Sequence, residues 1–150
     1  MISRDLDPAL IGALVCEARS AAGINVVLTG GTCVSVWTQN EFASLDLDFI
    51  ALGLHSNMEI VKALESIGFN RSRNNPRYFE HPDTDLSLEF PPGPLMAGDE
   101  HIKNESIDAY ATELGVLRLL SPTDCVKDRL AGYYYFRDQQ SLRQAIAVAK

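Results

Sequence analysis

The chain is 150 residues long, 46% hydrophobic and 22% charged, which describes one globular domain with a real core and too little length for two. Thirteen Lys and Arg against 20 Asp and Glu leave a net charge of −7. That excludes non-specific binding of duplex DNA by massed cations, but not a nucleotide whose charge is met locally by a metal ion.

No apolar run is long enough to span a bilayer, and Met1 to Asp7 lacks a basic stretch leading into an apolar one. Cys16, Cys33 and Cys125 are odd in number, far apart and without a CxxC pair, so neither a disulfide framework nor a zinc site is expected. His55, His81 and His101 also lack metal-ligand spacing. The expected location is the cytoplasm, with no membrane contact.

In chain order, Asp7-Pro8 opens a helix as N-cap and first helical residue. Leu10, Ile11, Leu14, Val15 and Ala18 repeat at helical spacing to about Ala22, and Gly23 ends it. Asn25 to Thr29 reads as a buried strand, Gly30-Gly31 as the turn after it, and Thr32 to Gln39 as a second helix. Leu45 to Leu52 alternates in its first half and is a second strand. Ser56 to Glu59 has the form of a capping box ahead of Ile60, Val61, Leu64 and Ile67, with Gly68 closing that helix. A basic turn from Arg71 to Pro76 leads to Arg77–Glu80, which pairs with Asp85–Phe90 as a hairpin about Pro82-Asp83.

Pro91 to Pro94 halts regular structure, Leu114 to Leu120 is a further strand, and Ser121-Pro122 starts a helix to about Phe136. A last helix runs from about Asp138 to the end. The order predicts a single α/β (α+β) domain over 1–150: a small mixed sheet flanked by helices over about 24–120, then C-terminal helices over about 121–150.

The chemistry lies in Thr29-Gly30-Gly31-Thr32 and Asp46-Leu47-Asp48. Residues two apart on a strand point the same way, so Asp46 and Asp48 share a face. Two close carboxylates repel unless a cation lies between them, and an oxygen-only pair suits one or two Mg²⁺ ions. The glycine turn lets a phosphate approach bare backbone N–H groups at a helix N-terminus, with the Thr32 hydroxyl beside it. Metal-assisted phosphoryl or nucleotidyl transfer requires such a combination. On the hairpin, Asp85, Ser87 and Glu89 share a face. Glu89, near the strand end, is the expected third metal ligand or the base that takes a proton from the attacking hydroxyl; Asp85 is the alternative.

Gly30-Gly31-Thr32, Asp46-Leu47-Asp48-Phe49 and the later Glu89 resemble the signature of the DNA polymerase β-like nucleotidyltransferase superfamily. The nearest likeness is to small bacterial members that include the abortive-infection toxin nucleotidyltransferases. Leu120 to Asp124, Arg129-Leu130 and Arg137-Asp138 resemble the helical segment after the core in those groups, so the likeness covers roughly 24–142.

The resemblance implies a nucleotidyltransferase-like mixed sheet carrying Asp46, Asp48 and Glu89 on adjacent strands. These acids would bind Mg²⁺ or Mn²⁺ and promote attack of a hydroxyl on the α-phosphorus of an NTP. Gly30, Gly31, Thr32, Ser44 and Arg129 would hold the nucleotide, with RNA (tRNA) or protein as acceptor. A toxin–antitoxin role, a homodimer and an antitoxin-like partner are further expectations. Two departures stand out. Fourteen residues separate Gly31 from Asp46, slightly more than is usual, and Arg129 stands where toxin-like members tend to carry Lys.

Blander readings accompany these. Ser44 could instead hydrogen-bond locally, and Arg129 could pair with Asp124 or Asp128 on its own helix. Arg71, Arg73 and Arg77 form either a phosphate or nucleic-acid patch or a solvated turn. Tyr133 to Phe136 could stack on a base, pack on the core or form a dimer contact. The whole chain could be a non-catalytic nucleotide-binding or protein-interaction module on the same fold.

Overall fold

A computed structural model describes residues 6–42, 44–53, 57–91, 95–97 and 100–150. Helix α1 (Pro8–Ala21) begins as its sequence requires: Asp7 accepts the Ala9 N–H at 2.9 Å and Pro8 occupies the first turn. Gly23 takes φ +79° beyond its end, where Ile24 N–H returns to the Arg19 carbonyl. Strand β1 (Asn25–Thr29) buries Val26, Val27 and Leu28 in succession, the mark of a central strand covered on both faces. Helix α2 spans Gly30–Trp37. The glycine pair thus forms its first turn, and the helix ends before Gln39, which with Asn40 takes a left-handed conformation.

Strand β2 (Asp46–Leu52) follows, then α3 (Asn57–Glu65) and the short β3 (Asn70–Arg71). The Ser56 half of the expected capping box and Pro92 to Pro94 fall outside the described residues, as does His55. The hairpin is present as β4 (Tyr78–His81) and β5 (Thr84–Glu89). Next come a two-residue ladder, β6 (Met96–Ala97) with β7 (Glu100–His101), and the antiparallel pair β8 (Ile107–Thr112) and β9 (Gly115–Leu120).

Helix α4 (Pro122–Phe136) is capped by Ser121, which accepts the Asp124 N–H. Arg137 turns the chain in the left-handed region, and α5 (Gln139–Ala149) starts from Asp138.

The main sheet runs β3-β4-β5-β2-β1-β9-β8. β1 is antiparallel to β2 and parallel to β9, while β2 is parallel to β5. The expected mixed sheet flanked by helices is therefore observed. α1 packs on β1 and β9, with Gly12 tight against Leu117 and close to Leu47. Leu47 and Phe49 are fully buried, so alternation turns Asp46 and Asp48 to the opposite face, on the side of α2 and α4.

β8 is a strand that the sequence pattern does not predict. Its outward positions are exposed and it carries two alanines and an aspartate, residues poor in strand propensity. Tertiary pairing with β9 makes it a strand.

Candidate active site

β1 and β2 are joined so that Thr29 faces Asp48 in register, and the Thr29 hydroxyl donates to the Asp48 carbonyl at 3.2 Å. The next residue, Gly30, takes φ +70°, a region costly for other residues. A Cβ there would also stand 2.8 Å from Asp48 Oδ2. Glycine is thus required both by the backbone and by the close approach of a carboxylate. The first N–H groups of α2 have no side-chain cap from Thr29, so this end of the helix attracts anions.

Two side chains bracket Asp46. Thr32 is fully buried and its hydroxyl donates to the Asp46 carbonyl at 2.5 Å. It ties α2 to β2 and does not face the solvent side of the turn. Ser44 Oγ donates to the same carbonyl at 3.2 Å and lies against the position a Gly31 Cβ would take. The local hydrogen bond expected for Ser44 is present, beside the turn.

The third acid arrives through strand register. β2 pairs with β5 so that Asp46 faces Ser87 and Asp48 faces Glu89. Asp85 lies at the start of β5, before the level of Asp46, and is exposed. Asp48 is half-buried, and its Oδ1 is buried with no hydrogen-bond partner. Its pKa is pushed up to about 6, first by burial, then by the negative charges of Glu89 and Asp46 and a carboxyl–carboxyl hydrogen bond with Glu89. Arg129 opposes the rise.

Arg129 pairs with Asp128 at 2.5 Å and reaches Gln144 on α5 at 3.4 Å. Of the two helix partners considered for it, Asp128 is the one used. It also lines a cavity of about 520 Å³ between α4 and α5, together with Tyr135, Phe136, Asp138 and Ser141.

Two site neighbours escaped the sequence reading in this role. Tyr78 faces Glu89 across the β4–β5 ladder, and the negative charges of Glu89 and then Asp46 raise its phenol pKa. Arg77 donates to Glu89 Oε1 at 2.7 Å. The signal lay in the hairpin: once Glu89 ends one strand, the start of the antiparallel partner must stand beside it. At the other end of the turn before β4, Arg71 of β3 sets its guanidinium 5.2 Å from the Phe79 ring centre.

Hard oxygen donors at Asp46, Asp48 and Glu89, with one buried carboxylate oxygen unpartnered, fit a divalent cation such as Mg²⁺ or Mn²⁺. Yet among the described residues no three His, Cys, Asp or Glu side chains are arranged to hold a metal ion as they stand. The strands bring the acids together, while Arg77 engages Glu89. Cys16, Cys33 and Cys125 are free and buried. No helix among the described residues is long and apolar enough to cross a membrane.

No protein-family model matches the sequence, and no curated protein sequence does either. Solved structures do match. An antigenic nucleotidyltransferase-like protein from Paracoccidioides brasiliensis is similar over 93% of this chain and 75% of its own, with TM-score 0.67 and 11% identity. The lincosamide antibiotic adenylyltransferase LnuA, in its lincomycin-bound form, aligns over 97% of this chain and 98% of its own, at 0.61 and 13%. ANT(2'')-Ia in complex with adenylyl-2''-tobramycin aligns over 94% and 88%, at 0.58 and 15%. At such identities the likeness establishes the fold: the chain has the architecture of nucleotidyltransferase-like proteins.

Proposed function

We propose that this chain is a metal-dependent nucleotidyltransferase that moves a nucleoside monophosphate from an NTP to an acceptor hydroxyl. One observation carries the reading. Asp48 and Glu89 are register partners on parallel strands, Asp46 lies two residues away on the same face, and Gly30 presses against Asp48. Clustered carboxylates beside a glycine turn at a helix N-terminus cost folding free energy and fit a cation that carries a triphosphate.

In this reading Asp46, Asp48 and Glu89 hold the divalent cation, which supplies charge neutralisation and Lewis acidity when bound. The turn at Gly30 and Gly31 receives phosphate through backbone N–H groups, Ser44 stands beside it, and Thr32 keeps Asp46 in place. Arg129, already able to influence Asp48, adds positive charge. The acceptor oxygen forms a bond to the α-phosphorus as the bond to the β-phosphate oxygen breaks. Pyrophosphate leaves with the electron pair, and the hydroxyl proton passes to a carboxylate, for which Glu89 is the choice.

The resemblance to abortive-infection members supports an RNA or protein acceptor, a toxin–antitoxin setting and an antitoxin-like partner or homodimer. The antibiotic adenylyltransferases among the structural neighbours add small hydroxylated antibiotics to the acceptors worth testing. Incubation with Mg²⁺ and α-labelled NTPs, with tRNA, lysate protein or such antibiotics as acceptors, tests the proposal. Label should move to one acceptor class with wild type and not with Asp46→Ala. Nucleotide binding without transfer, unchanged in that variant, favours the non-catalytic module. One observation speaks for that second reading: Glu89 is paired with Arg77 and the acids are not arranged as a finished cage.

A further inference from the structure

Glu89 has three notable neighbours: Asp48 beside it on β2, Tyr78 opposite it on β4, and Arg77 bonded to it from the turn before β4. The Glu89 side chain is only 14% exposed, whereas that of Arg77 is 73% exposed. The carboxylate is therefore fixed in the fold, while its cationic partner reaches in from solvent on a long, flexible stem. Moving an exposed guanidinium back into water costs little. A cavity of about 320 Å³, lined by Arg71, Pro76, Arg77, Phe79 and Glu89 among others, leaves Arg77 room to swing aside. Asp48, by contrast, keeps a buried oxygen unpartnered a few ångströms from the pair.

We propose that Arg77 is a positioning residue that acts as an exchangeable latch on Glu89, competing with the divalent cation for the third carboxylate. The inference rests on the metal-site reading of Asp46, Asp48 and Glu89 and deepens it. With the latch closed, Arg77 neutralises Glu89 and occupies its Oε1, so that this oxygen is not offered to a cation. Opening it requires a cation strong enough to replace the guanidinium. The latch therefore lowers affinity for metal alone and favours uptake of metal together with an anionic nucleotide, whose phosphates add ligands of their own. An inert surface ion pair predicts no change in metal affinity when Arg77 is removed, and a purely structural pair predicts a loss.

The test is Mn²⁺ binding by the nucleotide-free protein, followed by electron paramagnetic resonance of the free ion and by calorimetry. Arg77→Gln should bind Mn²⁺ about three- to tenfold more tightly than wild type, in line with release of a partly desolvated pair. Arg77→Lys, which keeps a cation, should return affinity toward wild type. Arg73→Gln removes the same charge from the same turn and should stay within about twofold, so a general field effect is separated from the latch. With a non-hydrolysable NTP analogue present, the difference between wild type and Arg77→Gln should shrink. Unchanged or weaker Mn²⁺ binding in Arg77→Gln, or equal tightening in Arg73→Gln, overturns the latch while leaving the metal site intact. Absence of Mn²⁺ binding by wild type, with and without nucleotide, removes the metal site and the latch together.

Discussion

Replacing Asp48 with Asn should stabilise the metal-free protein at neutral pH and abolish nucleotidyl transfer. Asp48 has its pKa raised from 3.8 to about 6, so the folded state holds its proton more tightly than the unfolded chain does. Its ionisation therefore opposes folding. The penalty is absent below pH about 4, grows as pH rises through about 6 and is complete above it. At about 1.36 kcal/mol for each pH unit, the gap between 3.8 and about 6 corresponds to about 3 kcal/mol. Partial water access to the half-buried carboxyl reduces that to about 1–2 kcal/mol. Asn keeps the shape, carries no charge and offers an N–H₂ group to Glu89, so it escapes the penalty. For a chain of this length the gain amounts to about 2–8 °C in Tm. Urea and thermal unfolding in a chelator, at pH values from about 4 to 8, should show Asp48→Asn ahead of wild type at the alkaline end and level with it at the acid end. A variant that is less stable at pH 8, or whose offset does not change with pH, would refute the picture of a buried carboxylate whose ionisation opposes folding, first through lost solvation and then through the charges of Glu89 and Asp46.

Other substitutions probe the surroundings. Gly30→Ala forces a side chain into φ +70° and against Asp48 Oδ2; a loss of about 1–2 kcal/mol should appear in thermal unfolding, with nucleotide affinity falling further than stability alone explains. Thr32→Val deletes the buried hydroxyl that donates to the Asp46 carbonyl, and a loss of about 1 kcal/mol is expected by urea titration; an unchanged midpoint would show that Ser44 alone secures that carbonyl. Asp138→Ala should show the opposite pH trend to Asp48→Asn. The hydrogen bond from Ser141 is the main cause that lowers the Asp138 pKa, so the wild-type advantage is present at neutral pH and fades as pH falls through that lowered value. Equal Tm differences at pH about 7 and pH about 3 would contradict the capping role.

Local chemistry made much of this molecule legible in advance. Asp7-Pro8 and Ser121-Pro122 start helices because a short polar side chain followed by proline satisfies a helix N-terminus, and both do so here. The alternation in Asp46-Leu47-Asp48 placed the acids on one face because leucine and phenylalanine must be buried. The Asp85–Phe90 alternation similarly put Glu89 on its strand's polar face. Register between distant strands was not legible. Nothing local fixes Asp48 opposite Glu89, a parallel pairing across about 40 residues of chain. Arg77 and Tyr78 became site neighbours only through that pairing, and composition alone made Arg77 look like part of a solvated turn. From its place beside the glycine pair Thr32 is expected to face phosphate, whereas the first turn of α2 begins two residues earlier and carries its side chain inward. β8 is not legible because alanine and aspartate in an edge strand leave no periodic apolar signal.

The proposed activity requires Asp46, Asp48 and Glu89 to form one cation site that also carries a nucleotide. Titration of Mn²⁺ into the protein in the presence of a non-hydrolysable NTP analogue, followed by the magnetic resonance of the bound ion, tests this directly. The expected result is saturable Mn²⁺ binding made tighter by the nucleotide and lost, or weakened at least about tenfold, in Asp46→Asn, Asp48→Asn and Glu89→Gln, with each variant folded. Retention of wild-type Mn²⁺ and nucleotide binding in all three variants would contradict it.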